Sequence, residues 1–426
     1  MLSCHHGNGP TYRGSRTRKD GLRESGSGYR KRGVIHYKEG PYLPLTETWI
    51  HGQIENLTRY RAIVYCASTM NLDLFPAELV RSLRFRGRWR PQSLPNRVAK
   101  RLLGLYPSFA WHLLADRPHL VHAHFGPSGY GFLPLGRLFK LPVITSFYGY
   151  DLSGLPEQDT RWRSRYMKLF EHGDRFLVEG THMRDSLMAL GCPDEKVGIQ
   201  HLGVNLERIE FRTRQPDDDQ AVCVLVAGSF REKKGIPYAI EAFGRVREMN
   251  RNLQLTIIGD SAGAPREERE KRAILRVIEK YRLRDHLRWL GYQPYPVFMQ
   301  ELYRHHIFLS PSVTSTDGDT EGGVPVSIIE ASASGMPILS TKHCDIPEVV
   351  LNGESGYLVQ ERDTDALAEK LELLASNPCL WRSMGQKGRE HMEREYNAKT
   401  QGERLEEIYD EVLRASTWKP LGRNPR

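Results

Sequence analysis

No stretch of this 426-residue sequence approaches the roughly 20 consecutive apolar residues that a helix needs to cross a bilayer. The opening residues, MLSCHHGNGPTYRGSRTRKDG, hold no apolar core of the kind a secretory signal carries. The expectation is a cytoplasmic chain, with the inner face of the cell membrane as a place to work. Cysteine is sparse and scattered. Cys4, Cys66, Cys192, Cys223, Cys344 and Cys379 form no CxxC pair and no zinc-ligand spacing, so they read as free thiols. GxxxxGK[ST], complete GxGxxG, GxSxG and HExxH are all missing. With them go the fingerprints of P-loop enzymes, dinucleotide enzymes, α/β-hydrolases and zinc peptidases.

Acidic residues are scarce in one stretch and missing from another. The net charge is +9. Residues 1–32 carry eight Lys and Arg against Asp20 and Glu24, amid Gly and Ser, and read as a basic disordered tail or an early start. From Leu79 to Ala115 there is no acid at all, but Arg81, Arg84, Arg86, Arg88, Arg90, Arg97, Lys100 and Arg101 are present. Such a patch suits anionic lipid or phosphate groups; a solvated face explains it as well.

Length alone asks for two domains of about 200 residues each. Apolar, β-rich runs recur in the first half at Val34, Ala62, Leu120, Pro142, Arg175 and Val197, with helical patterns such as Thr48–Leu57 and Thr181–Leu190 between them. The second half repeats the rhythm at Ala221, Leu253, Leu287, His306, Pro337 and Gly356. Strands alternating with helices predict α/β architecture, and continuous apolar runs suit parallel strands buried on both faces. The expected layout is a tail over 1–32, a first domain over 33–211, a linker over 212–220, a second domain over 221–398 and a C-terminal helix over 399–415. That helix is expected to pack back on the first domain. Two such sheets facing each other make a cleft at their carboxyl ends, where ligands bind.

The richest segment is DGDTEGGVPVSIIEASASG, Asp317–Gly335. Gly322 and Gly323 suit a tight loop, Pro325 a helix start and Gly335 a helix end. A helix N-terminus behind a glycine loop offers free N–H groups and the positive end of the dipole, which suits a phosphate. Glu321 and Glu330 flank that loop, and carboxylates accept hydrogen bonds from sugar and ribose hydroxyls. The second segment, AGSFREKKGIPYAIEAFG from Ala227, places Arg231, Lys233 and Lys234 between a strand and a helix. A fixed cation there suits a diphosphate leaving group, where charge develops as a glycosidic bond breaks.

Together these segments resemble the donor domain of the family-4 retaining glycosyltransferases, in the manner of bacterial exopolysaccharide and surface-polysaccharide (colanic-acid-type) enzymes. The resemblance continues through HCDIPEVV from His343, NGESGYLV from Asn352, LPLTETWIHGQIENL from Leu43, HAHFG from His122, SFYGYDLS from Ser146 and HLGVN from His201. It implies the GT-B fold: two Rossmann-like, doubly wound α/β domains facing across a cleft. It further implies that Lys234 holds the donor diphosphate, Glu330 the ribose and Glu321 the transferred sugar. Val324 closes the donor loop with Gly322 and Gly323, and Tyr292 and Gln293 meet the base. Thr46, Glu47 and Thr48 face the sugar and phosphates, while His124, Tyr148 and Asp151 line the acceptor side. The substrates implied are a nucleotide diphosphate-sugar and a saccharide or lipid diphosphate-linked acceptor, with no cofactor, no metal and no specific nucleic acid. Three positions depart from the family pattern. Eight residues, not seven, separate Glu321 from Glu330; a tyrosine, Tyr148, stands where many members have histidine; and Ser229 stands where many have arginine. Arg231, two positions on, is expected to supply the missing guanidinium, with Lys233 a dispensable point charge.

Two tempting motifs have blander readings. Asp317-Gly318-Asp319 mimics a metal-binding DxD, but on a chain with two α/β halves. His122 and His124 share one side of a strand and read as a polar cleft wall, not a metal site. Two rival functions remain: a nucleotide-sugar 2-epimerase, and a non-enzymatic polyanion-binding protein suggested by the charge.

Overall fold

The computed structural model describes residues 31–416 apart from 45–46, 86–87, 90–92, 216–220 and 250–251. The apolar runs become strands because β-branched and aromatic side chains fill both faces of a sheet sandwiched between helices. Among the described residues, the first sheet has seven strands. In spatial order they are Val80–Ser82, Tyr60–Thr69, Arg32–Tyr42, Leu120–His124, Val143–Ser146, Arg175–Val178 and Val197–Ile199. The second has six: Leu287–Trp289, Leu253–Ile258, Val222–Ala227, Ile307–Ser310, Ile338–Thr341 and Gly356–Val359. Every pairing in both sheets is parallel. Each order reverses beside its first strand, the doubly wound arrangement of a Rossmann-like lobe. Each lobe has its own core: Val121, Phe132 and Val143 mark the first, Val224, Phe243 and Leu255 the second.

Two segments tie the lobes into one body. The first part of the expected linker is not free chain. Arg214 is 5% exposed, and its guanidinium donates to the carbonyls of His305, Leu302 and Ser334 in the second lobe. Residues 216–220 of that linker lie outside the described residues. The helix Ala398–Ala415 crosses back to the first lobe, where Leu405, Tyr409 and Val412 pack against Val34, Leu120 and Ile144. Its Glu406 accepts from the backbone N–H groups of Thr58, Arg59 and Tyr60 at 2.7, 2.6 and 3.1 Å. No described helix is long and apolar enough to cross a membrane.

Candidate active site

The carboxyl ends of both sheets carry the polar side chains. Beyond the strand Ile307–Ser310 the chain runs through Ser312 to the glycine loop and into the helix Val326–Ala333. Gly322 holds a φ of +76° and Gly149, in the first lobe, +110°. A Cβ on Gly322 would lie 2.1 Å from the Gly149 Cα, so the two backbones touch only because both residues are glycine. Ser153 Oγ and Thr320 Oγ1 meet across the same contact at 3.2 Å.

Glu321 stands at the mouth of this loop. Its carboxylate pairs with Lys234 Nζ at 2.9 Å and accepts from Ser312 Oγ at 3.0 Å. Burial alone would raise its pKa, but the ammonium groups of Lys234 and Lys233 hold it down at about 2. The stem of Lys234 lies over Gly228, with Cδ 3.4 Å from where a Cβ would be. Glu321 N–H donates to His343 Nε2 at 3.1 Å, which leaves His343 Nδ1 to donate to Glu361 at 2.6 Å. Glu330, one turn into the helix, is 9% exposed and accepts from Tyr295 Oη at 2.9 Å. Desolvation pushes its carboxyl up to about 7 against the pull of that hydrogen bond.

The loop after Ala227 departs from expectation in one respect. Arg231 Nη2 donates to Asp319 Oδ2 at 2.6 Å, and Lys233 Nζ to Asp319 Oδ1 at 3.1 Å. Lys233 also donates to the Thr320 carbonyl at 2.7 Å and is 7% exposed. It is therefore a buried strut under the glycine loop, not a dispensable surface charge. Asp319 has both oxygens engaged by cations, and Asp317 lies 3.9 Å from Arg266. Ser229 is partly buried beside Arg231, whose N–H donates to the Ser229 carbonyl. Tyr292 is exposed at the rim with Gln293 beside it, in the loop that follows Gly291.

The first lobe needs two corrections. Asp151 does not line the cleft. It is 2% exposed, and its oxygens accept from Gly126 N at 2.8 Å and Tyr148 N at 3.0 Å, which fixes the loop that presents Tyr148. Burial lifts its carboxyl to about 6 against those backbone donors. His122 and His124 form no cleft wall either: they are 0% and 1% exposed and lie with His36 beneath the surface. His124 Nε2 is 3.0 Å from His36 Nδ1, its Nδ1 2.7 Å from Tyr148 Oη, and His122 sits 2.7 Å from both Tyr409 Oη and Ser146 Oγ. Burial drives all three imidazoles well below their ordinary pKa, and Lys38 adds its charge against His124. The trio has the spacing of metal ligands, but hydroxyl groups engage both nitrogens of His122 and the Nδ1 of His124. What reaches the surface is Tyr148, with Trp49 at 5.7 Å, partly buried Glu47 and exposed Thr48. Thr46 lies outside the described residues. Lys38 pairs with Glu47, and burial lowers its pKa to about 8. Neither His36 nor Lys38 was among the residues expected here; a lysine closing the apolar run VIHY was the available signal.

Comparison with known proteins agrees with this geometry. Residues 207–391 match the family described as glycosyl transferases group 1, and residues 48–208 match glycosyltransferase family 4. The chain belongs to these glycosyltransferases. It is 31% identical over 294 residues to an amylovoran biosynthesis glycosyltransferase of Erwinia amylovora, covering 68% of this chain and 69% of that one. It is 36% identical over 251 residues, 58% of this chain, to a Salmonella typhimurium protein named for colanic acid biosynthesis, and spans 59% of that relative's length. Among solved structures, sucrose-phosphate synthase from Thermosynechococcus elongatus superposes with a TM-score of 0.70 at 18% identity, over 91% of this chain and all of that one. Anabaena HepE, solved with UDP and glucose, gives 0.71 at 14%, over 89% of this chain and all of that one. These likenesses establish the GT-B fold.

Proposed function

We propose that this chain is a retaining, hexosyltransferase-type glycosyltransferase of surface-polysaccharide assembly. The observation that carries the reading is the Lys234–Glu321 pair at the glycine loop, ahead of the helix Val326–Ala333. Lys234 and Arg231 would neutralise the diphosphate of a nucleotide-sugar, helped by the N–H groups of Gly323 and Val324. Glu321 would accept from the hydroxyls of the transferred sugar, Glu330 from the ribose, and Tyr292 and Gln293 would flank the base. In the transfer, the bond from the anomeric carbon to the diphosphate oxygen breaks. The acceptor hydroxyl oxygen bonds to that carbon, and its proton leaves with the diphosphate. Tyr148, Glu47 and Thr48 are placed to meet a saccharide or lipid diphosphate-linked acceptor. The names of the polysaccharide relatives and the UDP bound to HepE support the donor class. Thermal-shift screening against UDP-, GDP-, dTDP- and ADP-sugars tests it, since only a true ligand stabilises the folded state. One donor should raise Tm in wild type and not in Lys234→Ala; no response from any donor would refute the reading.

The same reading makes transfer independent of divalent metal, because Arg231 and Lys233 already engage Asp319. Turnover unchanged by EDTA is expected, and turnover restored only by magnesium or manganese would count against it. It also places the enzyme on an anionic membrane at the cytoplasmic face. Leu102, Leu103, Trp111 and Leu114 are exposed on the helices Ser93–Leu103 and Pro107–Asp116, within the acid-free basic stretch. Two cations of that stretch are engaged locally, Arg81 by Asp116 at 2.6 Å and Lys100 by Glu39 at 2.9 Å. The side chains of Arg84, Arg86, Arg88, Arg90 and Arg97 lie outside the described residues. Co-sedimentation with anionic vesicles should fall sharply for Trp111→Ser with Arg101→Ser, and undiminished binding would end the idea.

A further inference from the structure

Each lobe holds a backbone amide of the other. The first-lobe helix Thr181–Ala189 begins at Gly180 without a side-chain cap of its own. Two carboxylates of the second lobe serve instead. Asp345 Oδ1 accepts from His182 N at 2.7 Å, and Glu348 Oε1 accepts from Thr181 N at 2.7 Å. In the other direction, Glu179 follows the first-lobe strand Arg175–Val178 and reaches the glycine loop. Its Oε2 accepts from Val324 N at 3.3 Å. A Cβ on Gly323 would lie 1.8 Å from that same oxygen, so only glycine admits the carboxylate. The charges nearest Glu179 do not welcome it. Desolvation first, then Asp345, with Asp151 and Glu321 adding, lift its carboxyl to about 8. A carboxyl group thus sits on the Val324 amide of the loop that leads into the helix Val326–Ala333, close to the helix end where an anion is favoured, and it comes from the opposite side of the cleft.

We propose that Glu179 is a displaceable clasp: it occupies the donor diphosphate's place on the Val324 amide beside Gly323, holds the lobes shut, and is evicted when the donor binds. This inference rests on the donor site assigned above. The incoming diphosphate offers more negative charge than one carboxyl and brings its own partner in Lys234. Eviction would break one of these reciprocal contacts and leave the Asp345–Glu348 side as the pivot. While the clasp is closed, the apparent affinity for donor is reduced by the fraction of molecules that are open.

The full-length chain tests this with calorimetric titration of UDP, GDP, dTDP, ADP and inorganic pyrophosphate into wild type, Glu179→Gln, Glu179→Ala and Lys234→Ala. Amide hydrogen exchange without ligand is measured on the same proteins. Glu179→Gln keeps the shape of a carboxyl that is mostly uncharged at pH 7 and should bind as wild type does at that pH; Glu179→Ala removes the occupant and should bind the accepted diphosphate at least tenfold more tightly. Exchange at Val324 should be faster in Glu179→Ala. Equal or weaker binding by Glu179→Ala, with binding still lost in Lys234→Ala, would overturn the clasp and leave the donor site standing. If no phosphate compound binds any of the proteins, or Lys234→Ala binds as wild type does, the donor site fails. Unchanged exchange at Val324 in Glu179→Ala overturns the clasp whichever result the titrations give.

Discussion

Glu321 and Asp319 stand two residues apart, yet their surroundings assign them different work. Glu321 shares Lys234 with the cleft, while Asp319 is held between Arg231 and Lys233 beneath it. Glu321→Gln should therefore lower turnover about a hundredfold or more in a protein that melts normally, the scale of a lost charge contact in the transition state. Asp319→Asn should lower Tm while the folded enzyme keeps most of its turnover; steady-state kinetics beside calorimetry separates the two. Lys233→Ala belongs with Asp319→Asn, since it leaves a buried carboxylate half-paired at about 1–3 kcal/mol. Arg231→Ala should instead follow Lys234→Ala in losing turnover. A turnover defect in Lys233→Ala without a stability defect would reverse these roles.

At the scale of elements, Glu406 is the test of how the last described helix is attached. It is 1% exposed, and three backbone N–H groups at the turn before strand Tyr60–Thr69 donate to it. Glu406→Ala should destabilise by about 1–3 kcal/mol through those orphaned donors. Chemical denaturation reads this directly, and a loss of only a few tenths would show the attachment to be hydrophobic alone. The elements themselves were legible in the sequence, because short continuous apolar runs such as VCVLVA, rich in β-branched residues and followed by glycine, suit strands covered on both faces. The glycine loop and its helix were legible because Gly, Pro and Glu act there through local geometry. Glu179, His36 and the cap from Glu406 were not. Each acts through a partner remote in the chain, as Glu406 does on Thr58, and composition near one residue says nothing of what arrives from another lobe. Asp151 misled for a related reason: a loop aspartate that binds its own neighbours' amides looks the same in sequence as one that faces a ligand.

Across the whole molecule, buried titratable groups set the response to pH. Asp151, Asp345, Glu330 and Glu179 have folded pKa values of about 6, 7, 7 and 8, all above the ordinary carboxyl range. A raised carboxyl contributes stability at low pH and loses it as pH rises through its folded value. The three buried imidazoles act oppositely: their depressed pKa values contribute stability above about pH 6.5, and it is lost as pH falls below. Between about 6.5 and 8 the four carboxyls outweigh Lys38, whose depressed pKa of about 8 begins to add stability only at the top of that range, so Tm should fall over that interval. A calorimetric Tm that stays level or climbs from pH 6.5 to 8 would contradict the burial of these groups.

The helix that carries Glu406 also fixes when the first lobe can finish folding. Leu405, Tyr409 and Val412 complete a hydrophobic cluster whose other members, Val34, Leu120 and Ile144, leave the ribosome hundreds of residues earlier. At about 5–20 residues per second of synthesis, the nascent lobe waits roughly 10–40 s after its last strand with that flank bare. The second lobe is therefore synthesised in full before the first one closes, and a ribosome paused within it holds an unfinished sheet face exposed to chaperones and to neighbouring chains.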